Sequence, residues 1–155
     1  MKFKNPMLVV TDMEKAKIFY KDVLGLRVIM DFGANVTLTG GVALQTKESW
    51  KDFIQKNDNE IRFNGNDSEL YFEEDNFDSF INKLNSFNYI EYVHHAYEHK
   101  WGQRVVRFYD LDKHIIEVGE NLKVVCKRFL DSGLTMDEVA KRMGVPIKFV
   151  QGCIR

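Results

Sequence analysis

One order of elements occurs twice along this chain, and that repetition constrains the fold more than any single segment does. PMLVVT, residues 6–11, has the composition of a strand, and Asp12 after it suits a helix N-cap. Ala16, Phe19, Tyr20 and Val23 follow at helical spacing, and Leu24-Gly25 closes that helix. LRVIMDF reads as a strand, Gly33-Ala34-Asn35 as a turn, and VTLT and VALQT as two short strands joined at Gly40-Gly41. After residues 47–67 the order returns. SELYFE is a strand, Asp75 or Asn76 caps a helix carrying Phe77, Phe80, Ile81 and Leu84, and YIEYVHH, RVVRFY and HIIEV are strands. Independent errors would rarely produce β-α-β-β-β twice.

The expected fold is therefore α+β: two βαβββ modules, about 1–55 and 67–120, forming a cupped mixed sheet within a domain spanning 1–120. A helical C-terminal extension occupies 121–155. Between the modules, Trp50, Phe53 and Ile54 suit one short helix, whereas KNDNE and NGND are polar and turn-rich. In the extension, Thr135 and Glu138 form a capping box, and Gly144-Val145-Pro146 interrupts the helix. This stretch resembles a helix-turn-helix, in which Lys148, Gln151 and Arg155 would face a DNA groove.

Composition narrows the function classes. With 155 residues, 45% hydrophobic and 29% charged, the chain can bury a globular core. A net charge of -1 supplies no basic field for nucleic acid or a membrane surface. Cys126 and Cys153 form no CxxC motif, and the opening MKFKNPMLVV holds an apolar run too short for a signal peptide or a membrane span. A cytoplasmic, reduced setting is the expectation.

Strand alternation separates two faces. Leu8, Val10, Val42, Leu44, Leu70, Phe72, Ile116 and Val118 fall on apolar faces that suit packing under a helix. Asn5, Met7, Gln45, Glu69, Tyr71, Ile115 and Glu117 fall on mixed faces. A mixed face is either solvated or lines a cavity with a few polar groups among apolar ones, and alternation alone does not choose. Gln103 and Arg107 share the second parity. Arg107 would bind a substrate carboxylate or phosphate, or else pair with Glu69, Glu73 or a neighbouring chain. His94 and His95 point to opposite faces, so at most one reaches the mixed side, and His99 stands by the Trp101-Gly102 turn at its rim.

Three stretches carry a family resemblance: VVTDMEKAKIFYKDVLGLRV, ELYFEEDNFDSFINKL and WGQRVVRFYDLDKHIIEVGE. Together they resemble the vicinal oxygen chelate superfamily, which includes glyoxalase I, bleomycin-resistance proteins and extradiol dioxygenases. In the third stretch Leu111 and Lys113 replace the usual proline and glycine of the turn. The resemblance implies two modules forming a cupped sheet, with metal ligands on the first and last strand of each module. Those slots hold Asn5, Ala43, Glu69 and Glu117 here, and Ala43 has no ligating atom. Glu117, Glu69 and Asn5 are the resulting metal candidates. A divalent ion (Mg, Mn, Ni, Zn or Fe) and no cofactor at all stand as equal expectations.

The resemblance implies a small-molecule lyase or isomerase that moves a proton next to a carbonyl, with Glu117 and Glu69 as acid and base. Asn5, Met7, Gln45, Tyr71, His99, Gln103 and Arg107 are the expected substrate contacts. The alternatives are a non-catalytic binding protein of bleomycin-resistance type and a ligand-responsive DNA-binding regulator. The expected partners are a small-molecule ligand and a second copy in a homodimer, with neither nucleic acid nor membrane.

Overall fold

A computed structural model describes residues 1–154. The chain divides into two compact units, Met1–Ser68 with Tyr109–Ile115, and Glu69–Phe108 with the chain from Ile116 onward. The expected α+β class and both βαβββ modules are present, one four-stranded sheet in each.

The first unit runs β1 (Met7–Val10), α1 (Met13–Leu24), β2 (Val28–Asp31), β3 (Asn35–Leu38), β4 (Ala43–Thr46) and α2 (Lys47–Ile54). The sheet order is β1-β4-β3-β2, with β1 parallel to β4 and the remaining pairs antiparallel. Local chemistry sets the ends of α1. The Asp12 side chain accepts the amide hydrogen of Lys15, and Gly25 ends the helix at φ 71°, in the left-handed region that glycine adopts without strain. Met13, Ala16, Phe19, Tyr20 and Val23 bury one face of α1, Val10, Val36, Leu38 and Leu44 are buried on the strands, and Val42 is buried just before β4. β3 and β4 join through a tight 3-10 turn at Thr39–Gly41, in which Gly40 and Gly41 both take positive φ. Asn35, expected in the preceding turn, instead opens β3, where its backbone pairs with Gln45. The edge strand β2 leaves Val28, Ile29 and Met30 exposed.

The second unit repeats the order with β5 (Glu69–Glu74), α3 (Phe77–Asn85), β6 (Glu91–Glu98), β7 (Arg104–Tyr109) and β8 (Ile115–Glu120), arranged β5-β8-β7-β6. In both sheets the module's first strand lies beside its last. Asn76, rather than Asp75, caps α3 by accepting the Ser79 amide. Phe77, Phe80 and Leu84 are buried, as are Val105, Val106, Phe108, Ile116 and Val118.

The C-terminal helices α4 (Leu122–Asp131), α5 (Met136–Met143) and α6 (Ile147–Cys153) belong to this second unit. Val125, Cys126, Phe129, Val139, Met143, Val150 and Cys153 form their common core. The Thr135–Glu138 capping box opens α5, and Gly144 closes it in the left-handed region. Glu120, 2% exposed, is held by Arg104 at 2.7 Å and Arg128 at 3.0 Å, which ties α4 to the end of β8. Lys148 and Gln151 lie on α6, and Arg155 lies outside the described residues. Among the described residues no helix is long and apolar enough to cross a membrane.

Candidate functional site

The second sheet carries one polar side chain from each strand in a single row. Across β5-β8-β7-β6 the row reads Glu69, Glu117, Arg107 and His94. Arg107 is its hub. Its Nε donates to Glu69 Oε2 at 2.8 Å, its Nη2 donates to Glu117, and its Nη1 lies 3.2 Å from His94 Nε2. A guanidinium only donates, so His94 Nε2 accepts. His94 Nδ1 lies 2.9 Å from the carbonyl of His95, which fits the tautomer with its hydrogen on Nδ1.

The two carboxyl groups differ in environment. Glu117 is 7% exposed, and its pKa is pushed up to about 7. Burial is the main cause; the Arg107 charge opposes it, and the neighbouring Glu69 carboxyl adds to it. Glu69 is exposed, and its hydrogen bond from Arg107 holds it below the usual carboxylate range. Two acids with their pKa values pushed apart can divide the roles of proton acceptor and fixed charge.

Aromatic rings run beside this row. His94 and Tyr97 lie 4.7 Å apart, Tyr97 and His99 4.7 Å, and His99 stacks on Trp101 at 4.0 Å and 9°. Burial lowers the His99 pKa, helped by the charge of Arg107. Gln103 is enclosed: it donates to the Tyr71 hydroxyl and the Glu120 carbonyl, both at 2.9 Å, and accepts from Trp101 Nε1 at 3.1 Å. Gly119 makes room for it, since a Cβ there would stand 2.8 Å from Gln103 Nε2. Gln103 therefore braces Tyr71 and Trp101, and it has few hydrogen-bonding atoms left for a ligand.

The remaining sequence candidates belong to the first unit. Asn5 is exposed and donates to the Pro6 carbonyl at 3.4 Å. Gln45 is 2% exposed and bonds Asn35 at 2.8 Å and Ser49, which satisfies its amide internally. Met7 is exposed, and its Sδ accepts weakly from Asn35 at 3.6 Å. Of the adjacent pair His94 and His95, which strand alternation left undecided, His94 is the one that joins the row. Its only signal was strand parity shared with Arg107, three strands' worth of register away from Glu69.

Within the second unit, the Glu69–Glu117 pair as it stands does not fit a divalent ion. The positive guanidinium of Arg107 already bonds both carboxylates and occupies the place a cation would take between them. Asn5 and Ala43 lie in the first unit. Among the described residues no group of three or more His, Cys, Asp or Glu side chains is gathered to hold a metal.

Two βαβββ modules, each with its own four-stranded sheet, define a two-module protein of the α+β class. The chain belongs to the glyoxalase-like domain family, whose model matches residues 3–123, and so to the vicinal oxygen chelate superfamily. A crystal structure of a protein of unknown function from Agrobacterium tumefaciens is 36% identical, with a TM-score of 0.69, and the match covers 78% of this chain and 94% of that one. A glyoxalase/bleomycin resistance protein/dioxygenase family enzyme from Burkholderia phytofirmans shares the fold at 15% identity and a TM-score of 0.65, covering 76% of this chain and 96% of that one. So does a lactoylglutathione lyase from Agrobacterium tumefaciens, at 22% identity and a TM-score of 0.58, covering 78% and 94%. No curated protein matches the chain.

Proposed function

We propose that the protein binds a small carbonyl compound on the mixed face of the second sheet and moves a proton at the carbon beside the carbonyl. One observation carries this reading: Glu117, buried in a row with Glu69, Arg107 and His94, has a pKa of about 7. A group with that value is present in both protonation states near neutral pH, which is the condition for accepting and returning a proton. Glu69 stays ionised and keeps Arg107 in place. As Glu117 takes up the proton its attraction for Arg107 weakens, and Nη2 becomes available to the enolate oxygen that forms. No step in this scheme passes through a metal ion.

The run of rings from His94 to Trp101 favours a second reading, a binding protein that holds a flat ligand by stacking and transforms nothing. One experiment separates the two. A panel of 2-oxo and 2-hydroxy carbonyl compounds is incubated with the protein in deuterium oxide, and exchange of the α-hydrogen is followed by NMR. Proton transfer predicts exchange that the Glu117→Gln variant loses. Ligand-dependent thermal stabilisation that survives in that variant, with no exchange in either form, supports the binder and sinks the enzyme.

A further inference from the structure

A cavity of about 320 Å³ lies within the first unit, bordered by β1, α2 and the segment that follows α2. It contains none of the residues in the Glu69–Glu117–Arg107–His94 row. Trp50, Ile54 and Phe63 give it apolar walls, and Glu60, Arg62, Ser68 and His114 bring polar atoms to it.

His114 is held from behind. Its Nδ1 lies 2.8 Å from Asp110 Oδ2, and its backbone amide donates to Asp110 Oδ1 at 2.8 Å. Asp110 is 5% exposed and also accepts from the Tyr20 hydroxyl at 2.7 Å and the Asp112 amide at 3.0 Å. With Nδ1 fixed on this buried carboxylate, Nε2 is the ring atom left over, and no protein group among the described residues bonds it. Phe63 meets the ring edge-on, with centroids 6.1 Å apart.

Arg62 likewise has no ion-pair or hydrogen-bond partner among the described residues. Glu60 also borders the cavity, but its carboxylate is already engaged by Lys56 at 3.0 Å and by the Asn57 amide at 2.9 Å. Two donor-bearing groups without acceptors therefore border a cavity with indole and phenyl walls. A carboxylate supplies the missing acceptors, a guanidinium binds one through paired hydrogen bonds, and the walls suit an apolar body. The volume lies at the small end of the ligand-pocket range.

We propose that this cavity is a second small-molecule site, for a carboxylate carried on an aromatic or branched apolar body. Arg62 and His114 bind the carboxylate, and Trp50 and Phe63 enclose the body. The site does not depend on proton transfer by Glu117.

Titration calorimetry with phenylacetate, and with phenylacetamide as its neutral counterpart, tests it. The expected result is saturable one-to-one binding of phenylacetate, with the amide weaker by about tenfold or more. Arg62→Gln weakens phenylacetate by a similar factor, and so does His114→Asn, whose amide keeps a donor for Asp110 but lacks Nε2. Thermal melts check that both variants fold. Glu117→Gln leaves phenylacetate binding unchanged, which separates this site from the second-sheet row. Failure to saturate by about 10 mM, equal affinity for the amide, or insensitivity to Arg62→Gln overturns the proposal. So does binding that is lost in Glu117→Gln.

Discussion

Glu69 and Glu117 share one counter-ion: the Arg107 guanidinium bonds both carboxyl groups, and burial separates their acidities. Within one sheet this converts two like residues into a fixed anion and a titrating acid. The chemistry assigned to the face depends on that difference.

The titration of Glu117 is directly measurable. Carbon-13 NMR of its side-chain carboxyl should give a midpoint of about 7, with Glu69 titrating below the ordinary value of 4.5. A raised folded-state pKa means the folded protein binds the proton more tightly than the unfolded chain. The resulting stability is complete below 4.5 and is lost as pH rises through about 7. Urea denaturation between pH 5 and 8 should show this decline, and Glu117→Gln should remove it. Glu69 and Glu120 are shifted downward, so their opposite contributions fall at more acid pH, whereas His99, shifted down from 6.5, adds an opposite slope inside the window, so the Glu117 contribution is read as the difference between the parent and Glu117→Gln.

Removing the shared cation should move the midpoint. In Arg107→Met the lowering influence on Glu117 disappears while burial and Glu69 remain, so its carboxyl should titrate above about 7. The pH profile of any α-hydrogen exchange should shift upward with it. Loss of the charged hydrogen bonds should cost roughly 1–3 kcal/mol of stability at neutral pH. A midpoint that falls instead would show that Arg107 does not act on Glu117.

Gly102 should tolerate no side chain. Its φ is 89°, and a Cβ would stand 2.1 Å from the Phe129 ring of α4. Gly102→Ala should lose about 2–4 kcal/mol through the combined clash and backbone strain. Chemical denaturation measures the loss, and a variant as stable as the parent would contradict the packing of α4 on this turn.

Tyr20→Phe isolates the buried hydrogen bond to Asp110. The hydroxyl is lost from a 2.7 Å contact, whereas the amides of Asp112 and His114 still satisfy the carboxylate. The expected cost is about 1–2 kcal/mol in thermal or chemical denaturation. A neutral result would mean that these amides and the His114 ring satisfy Asp110 without the phenol.

Much of the architecture was legible because its determinants are local. Asp12 with Lys15, Gly25, and Thr135 with Glu138 are neighbours in the chain, so helix ends follow from short-range hydrogen bonds and φ preferences. The period-two alternation placed Glu69 and Glu117 on the mixed side of their strands, and the repeated element order led to both modules. Strand ends were less certain: β6 begins at Glu91, after the expected Tyr89, because pairing with a neighbouring strand sets that boundary.

The sequence by itself determined the elements, their order and the side of each strand that a residue occupies. Only the tertiary structure decided the partners. Gln45 and Gln103, chosen as ligand contacts, are taken up by internal hydrogen bonds, while His94 joins Arg107. For Arg107, the sequence left a choice between a substrate anion and nearby acids, and the fold placed it on Glu69 and Glu117. The reason is physical: facing direction repeats every two residues along one strand, but a side chain's partner depends on the register between strands distant in sequence. That register is set only when the whole sheet packs.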